Sequence, residues 1–419
     1  MTASLLFMVI ILVYVTHPVA QSVDSMWTLH VAMSIVREGN TNLDEYQDVI
    51  QARNSYAVGP IQQHLYYFFP IGTPLLSVPF VFVVDQMTQH SWDMPLSEQL
   101  HAAIPTGGVL GTELLIASII VALTTIVMYA IGRLYLSRWR AIVLALIFAF
   151  CTSAWSTASR GLWQHGPTIL MLSLTLYLAL LAQRRPALIQ FTALPLAFSF
   201  VIRPTNSVSI ALFTLYVFLR YRPYFVRYLL WSAVIAVPYV IYNWSIYQAV
   251  LQPYAQPQRI ASSPYFGEAL LGNLISPARG VLIFTPVLIL SVFGVALKLK
   301  AHDFHALDGL LAAAIIGHWI VISSYFHWWA GHSFGPRLFT DMLPYAFYFM
   351  IPVLERLHWP TSARAAIGAA LVIVLIGVSA FIHWRGADFD TTWQWNLSPT
   401  NVDAQPGRLW DWSDLQFLR

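Results

Sequence analysis

Four arginines stand beside Gly or Pro at the ends of apolar runs. Arg160 opens Arg-Gly-Leu-Trp-Gln-His-Gly-Pro, which also holds His165; Arg203 sits in Val-Ile-Arg-Pro-Thr-Asn; Arg279 in Ser-Pro-Ala-Arg-Gly; and Arg337 in Phe-Gly-Pro-Arg-Leu-Phe-Thr-Asp. A guanidinium group is a planar fork of donors that matches phosphate oxygens, so the chemistry these residues suggest is anion binding. Snorkelling to lipid headgroups is the competing reading for each one singly. Carboxylates that could act with them are Asp24, directly after the apolar run 4–20, and the Asp44–Glu45 pair. Asp24 could equally cap a helix, and Asp44 and Glu45 could be a solvated loop pair. As a catalyst, a carboxylate beside an anion site would take a proton from an attacking group.

Other chemistries find little footing. His64, His327 and His332 are present without an HExxH pattern or a tight His/carboxylate cluster, so no metal cofactor is expected. His64 is retained as a candidate substrate-binding residue near the acidic pair. There is no Walker A loop, no GxGxxG and no GxSxG, which disfavours nucleotide-driven, dinucleotide and α/β-hydrolase functions. Basic residues form no tract suited to nucleic acid, and the single Cys151 excludes an intrachain disulfide.

The elements that must position these residues are membrane helices. The chain has 419 residues, 58 % hydrophobic and only 10 % charged, too few charges to cover a soluble domain. Apolar runs recur near 4–20, 108–132, 139–157, 166–183, 187–202, 205–219, 226–246, 279–298, 309–326, 339–354 and 363–383. The spacing predicts an all-α polytopic bundle of about eleven transmembrane helices. The first run is read as a membrane helix rather than a signal peptide, since no Lys or Arg precedes it. Segment 66–84 carries Pro70, Gly72, Pro74 and Pro79 and is read as a broken interfacial or re-entrant piece.

Charge sets the sides. Arg133, Arg138, Arg140, Arg184, Arg185, Arg220, Arg222, Arg227, Lys298, Lys300, Arg356 and Arg364 fall on one set of short loops, which are assigned to the cytoplasm. The other face receives the long loop 21–107, which carries only Arg37 and Arg53, and a Trp-rich tail, 385–419, beyond the bundle 1–384. Within the loop, Trp27, Val31 and Ile35 recur at helical spacing up to Gly39 and predict an amphipathic helix lying on the membrane surface. The tail tryptophans, Trp384, Trp393, Trp395, Trp410 and Trp412, are read as interfacial anchors or as sugar-stacking surfaces.

Taken with Trp-Gln-His-Gly-Pro at 163–167, Ser-Pro-Ala-Arg-Gly at 276–280, Phe-Gly-Pro-Arg at 334–337 and Arg-Leu-Trp-Asp-Trp-Ser-Asp at 408–414, this layout resembles the GT-C superfamily of membrane glycosyltransferases. The likeness is to bacterial members of the protein mannosyltransferase and aminoarabinose transferase kind. It implies transfer of a sugar from a polyprenyl-phosphate donor to a glycan, lipid or protein acceptor at the extracytoplasmic face of a bacterial plasma membrane. It also implies an acidic residue of the first loop as base, falling on Asp24, and basic residues holding the phosphate, falling on some of Arg160, Arg203, Arg279 and Arg337. The first loop has Val-Asp-Ser where many relatives carry an acidic pair, which leaves Asp44 and Glu45 as alternatives for the base. A lipid or sugar transporter, or a non-catalytic membrane protein of envelope assembly, is the rival reading. Transporters more often place ionisable residues in mid-span.

Overall fold

The structure is a computed structural model that describes residues 1–17, 19, 24–53, 55–90, 94–102, 111–255, 263–357 and 362–419. Residues 20–23, where a cleavage would fall and where Val-Asp-Ser begins, lie outside the described residues, as do the side chains of Arg53 and Arg364. Helix makes up 74 % of the chain, and the one sheet among the described residues is a two-stranded hairpin, so the fold is all-α. The hairpin pairs Val58–Ile61 with His64–Tyr67 through a two-residue turn. Both turn residues, Gln62 and Gln63, have positive φ, the geometry that follows the natural twist of paired strands.

Among the described residues, five helices are long and apolar enough to cross a membrane: Gly111–Arg133, His165–Ala182, Arg222–Tyr247, Ala306–Ser323 and Ala365–Asp388. The third and fifth are only 11 % buried over their apolar windows, and Val226, Leu230, Ile241, Leu371, Ile373 and Val374 point outward. Apolar surface of that extent has no stable place in water. The chain is therefore a membrane protein.

Each of the eleven apolar runs contains helix, but several helices are shorter than a span requires. Leu343–Arg356 and Ser207–Arg220 have 14 residues each, about 21 Å at the usual helical rise, against about 30 Å of hydrocarbon. The run 279–298 is not one helix: Val281–Phe284 stops at Thr285, and Pro286 starts a 3-10 turn that leads into Ile289–Lys300. The run 139–157 likewise ends its α-helix at Phe150 and resumes as a single π turn, Ala154–Ala158.

One expectation for the first loop is corrected and one is given its shape. Segment 66–84 holds the end of strand His64–Tyr67, then residues 68–71 outside helix and strand, and then Gly72–Gln89, one continuous 18-residue helix with Pro79 inside it. Its early prolines fall at the N-terminal end, where a missing N–H costs nothing. The predicted surface helix does form, as Thr28–Arg37, but it is covered rather than surface-lying. Gly72–Gln89 packs along it, and Arg37 makes a two-pronged bond to buried Asp85 (2.9 and 2.8 Å). His30 Nε2 reaches Leu100 O of helix Leu96–Ala102 at 3.1 Å.

Helix Gly111–Arg133 is the hub of the bundle, with Thr2–Val15, Arg138–Phe150 and His165–Ala182 against it. Ile289–Lys300 and Leu343–Arg356 approach so closely at Gly294 that an added Cβ would lie 1.6 Å from Phe349 O. Of the five tail tryptophans Trp395 alone is buried, and Trp384 is exposed. Trp395, Val402 and Leu409 form a compact cluster with Trp328, Trp329, Ala269 and Ala278, while Trp412 remains exposed.

Candidate functional site

Four of the sequence-predicted residues, Asp24, His165, Arg203 and Arg337, line one cleft. Asp24 and Tyr67 come from the first loop, Trp163, Gln164 and His165 from the turn before helix His165–Ala182, and Arg203 from the break between Ala193–Ile202 and Ser207–Arg220. Arg203 is held out of helix (φ −152°, ψ 111°) because Pro204 follows it. Arg337 begins the 3-10 turn Arg337–Met342.

Asp24 does not cap a helix. Helix Thr28–Arg37 has Trp27 at its N-cap with no side-chain cap bond. The Asp24 carboxylate instead takes a hydrogen bond from the Tyr56 hydroxyl and pairs with Arg337, whose Nη2 lies 3.2 Å from Oδ2. Tyr67 donates its hydroxyl to the Asp24 carbonyl at 2.5 Å, and burial raises that phenol well above its ordinary value, so it remains a donor. Arg337 also lies over the Trp163 ring at 4.1 Å. Beneath the first loop, Glu113 Oε1 accepts from Ser25 Oγ (2.6 Å) and Leu162 N (2.8 Å), tying the two cleft-forming loops together.

The residue that sequence reasoning missed is Asp341, fully buried, one helical step from Arg337 in the same turn. Its Oδ1 lies 2.7 Å from His165 Nδ1 and its Oδ2 lies 2.8 Å from Arg203 Nε. His318 Nε2, bonded to Leu338 O at 2.9 Å, stands 3.9 Å from Oδ2. With the carboxylate ionised, the His165 contact places the ring proton on Nδ1 and leaves Nε2 as a proton acceptor. The signal was visible: an acid four residues after Arg337, inside an apolar run, needs a counter-charge.

Several residues of the cleft carry donors that have no partner among the described residues. Arg337 Nε, Trp163 Nε1, Gln164 Nε2 and Thr73 Oγ1 are buried atoms of this kind, and their residues all line the cleft. Buried donors left unmet are costly, and four on the residues around one cleft suit a ligand rich in acceptor oxygens. The wall opposite is aromatic: Tyr67 packs on Phe69 (5.3 Å between ring centroids) and Phe69 on Tyr254 (5.2 Å).

The remaining candidates lie elsewhere. Asp44 pairs with His64 (2.5 Å) and accepts from Leu65 N (2.8 Å), which pins the hairpin. Burial opposes its ionisation, but those two bonds outweigh it and hold the carboxyl below the usual range. Glu45 accepts from Ser34 Oγ. None of the three lines the cleft. Arg160 is buried and gives its donors to the Tyr14 and His17 carbonyls and to Ser159 Oγ.

Arg279 does not share an anion site with Arg337. All five of its N–H donors are taken: by Trp329 O, Ala278 O, Gly331 O, Gln416 Oε1 and Asn396 Oδ1, at 2.8 to 3.1 Å. A lysine there would offer three donors and no fork. Arg279→Lys is expected to lower stability by about 1–3 kcal/mol for each acceptor left unmet, read as a fall in thermal midpoint. An unchanged midpoint would mean the network contributes nothing to the folded state. Among the described residues, no group of three or more His, Cys, Asp or Glu is arranged to hold a metal ion.

No family model matches the chain, and neither a curated protein nor a solved structure matches it. The class that fold and site define is thus an all-α membrane protein with a partly charged, donor-rich cleft.

Proposed function

We propose that the chain is a glycosyltransferase that moves a sugar from a polyprenyl-phosphate donor to an acceptor hydroxyl or amine. The observation that carries this reading is the cleft, lined by a carboxylate, two arginines and four residues with unmet buried donors. Asp24 takes the acceptor proton as the acceptor atom bonds to the anomeric carbon. The bond from that carbon to the phosphate oxygen breaks, and its electron pair leaves with the phosphate. Negative charge then grows where Arg337, Trp163, Gln164 and Thr73 present donors, a form of stabilisation that needs no rearrangement during the step. A lipid-borne donor suits the surroundings. Ile71, Leu75, Phe198 and Val201, within a few residues of cleft-lining Pro70, Thr73 and Arg203, line an apolar groove together with Pro238.

Eleven crossings, with residues 133–140 cytoplasmic, the cleft and tail 385–419 on the extracytoplasmic side, and a bacterial plasma membrane as the setting, belong to the same proposal. The test is transfer of label from a polyprenyl-phosphate sugar by purified protein in lipid nanodiscs. Transfer that disappears in Arg337→Ala supports the reading. Binding of the polyprenyl phosphate equally well by Arg337→Ala and by the parent protein would overturn the assignment of this cleft.

A further inference from the structure

We infer that Gln416 and Arg279 are positioning residues that hold the segment 328–337, and through it Arg337, in place at the cleft. The segment has little internal structure. Ala330, Gly331 and Gly335 have positive φ (64°, 63° and 58°), and no helix or strand covers residues 328–336. An alanine in the left-handed region is held there by its surroundings, not by its own preference. At Gly335 a Cβ would also stand 2.5 Å from the Phe284 ring.

What holds the segment is a regular set of side-chain bonds. Arg279 takes the carbonyls of Trp329 (2.9 Å) and Gly331 (3.1 Å). Gln416 takes the carbonyl of Ser333 through Nε2 (2.9 Å) and the N–H of Gly335 through Oε1 (3.1 Å). The held residues are 329, 331, 333 and 335, alternate positions along the segment. The two clamps are bonded to each other, Arg279 Nη1 to Gln416 Oε1 at 2.9 Å, and Gln416 is anchored in turn on Thr392 O at 3.0 Å. Two bonds from the tail add to this: Trp329 Nε1 to Asp403 Oδ1 (2.7 Å) and His332 Nε2 to Asn401 Oδ1 (2.9 Å).

The tail has its own fastenings. Ser276 Oγ donates to Leu409 O at 2.6 Å and Trp395 Nε1 to Asp414 O at 2.9 Å. Arg408 Nη2 bonds the Asp414 carboxylate at 3.0 Å. Neither Gln416 nor Arg279 lines the cleft, yet the segment they grip ends at Pro336, and the next residue is the one that meets Asp24 and Trp163. The Trp-rich tail is therefore a strap across the segment that carries the cleft's most exposed cation.

The functional arm of this inference rests on the anion-binding reading of the cleft; the structural arm does not. Ser333 is fully buried, and the only cysteine, Cys151, is buried in the bundle. Ser333→Cys in the full chain therefore gives two thiols, one reporting the segment and one reporting global unfolding. In the parent both should resist maleimide, as read by mass spectrometry. Adding Gln416→Ala, or Gln416→Met to keep side-chain length, should speed labelling at position 333 by at least about tenfold while Cys151 stays protected. In the same preparations, affinity for a short-chain polyprenyl monophosphate should fall by about tenfold or more. Protection at 333 in both variants would overturn the strap. Labelling of Cys151 in both would overturn it too, since the tail would then be part of the global fold. Opening at 333 with undiminished affinity would refute the positioning role. If the parent does not bind the probe, the proposed function fails, and labelling alone decides whether the segment is held.

Discussion

Asp24→Asn is expected to give a folded, membrane-inserted protein that binds donor and scarcely turns over. The change removes one charge and keeps the side chain's size. The Asn carbonyl can still accept from the Tyr56 hydroxyl, which bonds Asp24 Oδ1 in the native protein. What is lost is basicity and the ion pair to Arg337. That pair spans 3.2 Å between side chains that are 15 % and 27 % exposed, and the Asn carbonyl can still accept there, so the contact is weakened rather than left unmet. Loss of a general base lowers the chemical step by about 10²–10⁴-fold. The two effects therefore separate: kcat falls steeply, while the thermal midpoint and donor affinity move little. A capping role no longer competes, because helix Thr28–Arg37 starts four residues beyond Asp24 and has Trp27 at its N-cap without a side-chain cap bond. Normal turnover in the Asn variant would rule out Asp24 as the base. The role would then pass to His165, the other proton acceptor lining the cleft, rather than to Asp44 or Glu45, which are bonded to His64 and Ser34 away from it.

How far the sequence reaches is instructive at single residues. Helical content and membrane character could be read from composition and apolar runs, and Asp24, His165, Arg203 and Arg337 stood among the candidates without being set apart from Arg160 and Arg279. Arg160 and Arg279 have the same local signature, a charge beside Gly at the end of an apolar run, and yet they are internal clasps. Nothing in a local string distinguishes a guanidinium that meets a ligand from one that meets five acceptors of its own chain. For Arg279 two of those acceptors, Asn396 and Gln416, come from more than a hundred residues away. Helix Thr28–Arg37 shows the same limit. Its apolar face was legible, but its polar face also carries partners, Asp85 and the Leu100 carbonyl, that cover it. In segment 66–84 the sequence shows the break but not where the helix begins. Pro74 falls in the first turn, which tolerates it, and only Pro79 removes a bond from the helix interior.

Asp341 supports the second large prediction. It is fully buried and serves as counter-charge to Arg203 and hydrogen-bond partner to His165. Asp341→Ala leaves the Arg203 guanidinium in a buried site with no opposite charge, a change that costs about 3–5 kcal/mol in comparable settings. A large fall in thermal midpoint is expected, and taken alone it would not tell a scaffold from a site. The double change Arg203→Met with Asp341→Leu makes that distinction. Replacing a buried ion pair by apolar groups of similar volume is often neutral or stabilising, so the double variant should regain most of the lost stability. If the pair served only to hold the fold, the recovered protein would bind polyprenyl monophosphate as the parent does. If the pair is there to aim Arg203 and fix the His165 proton on Nδ1, the recovered protein will be stable and will have lost both affinity and transfer. Thermal denaturation and probe binding on the same preparations decide between them, and a stable double variant with parental affinity would remove Asp341 and Arg203 from the site.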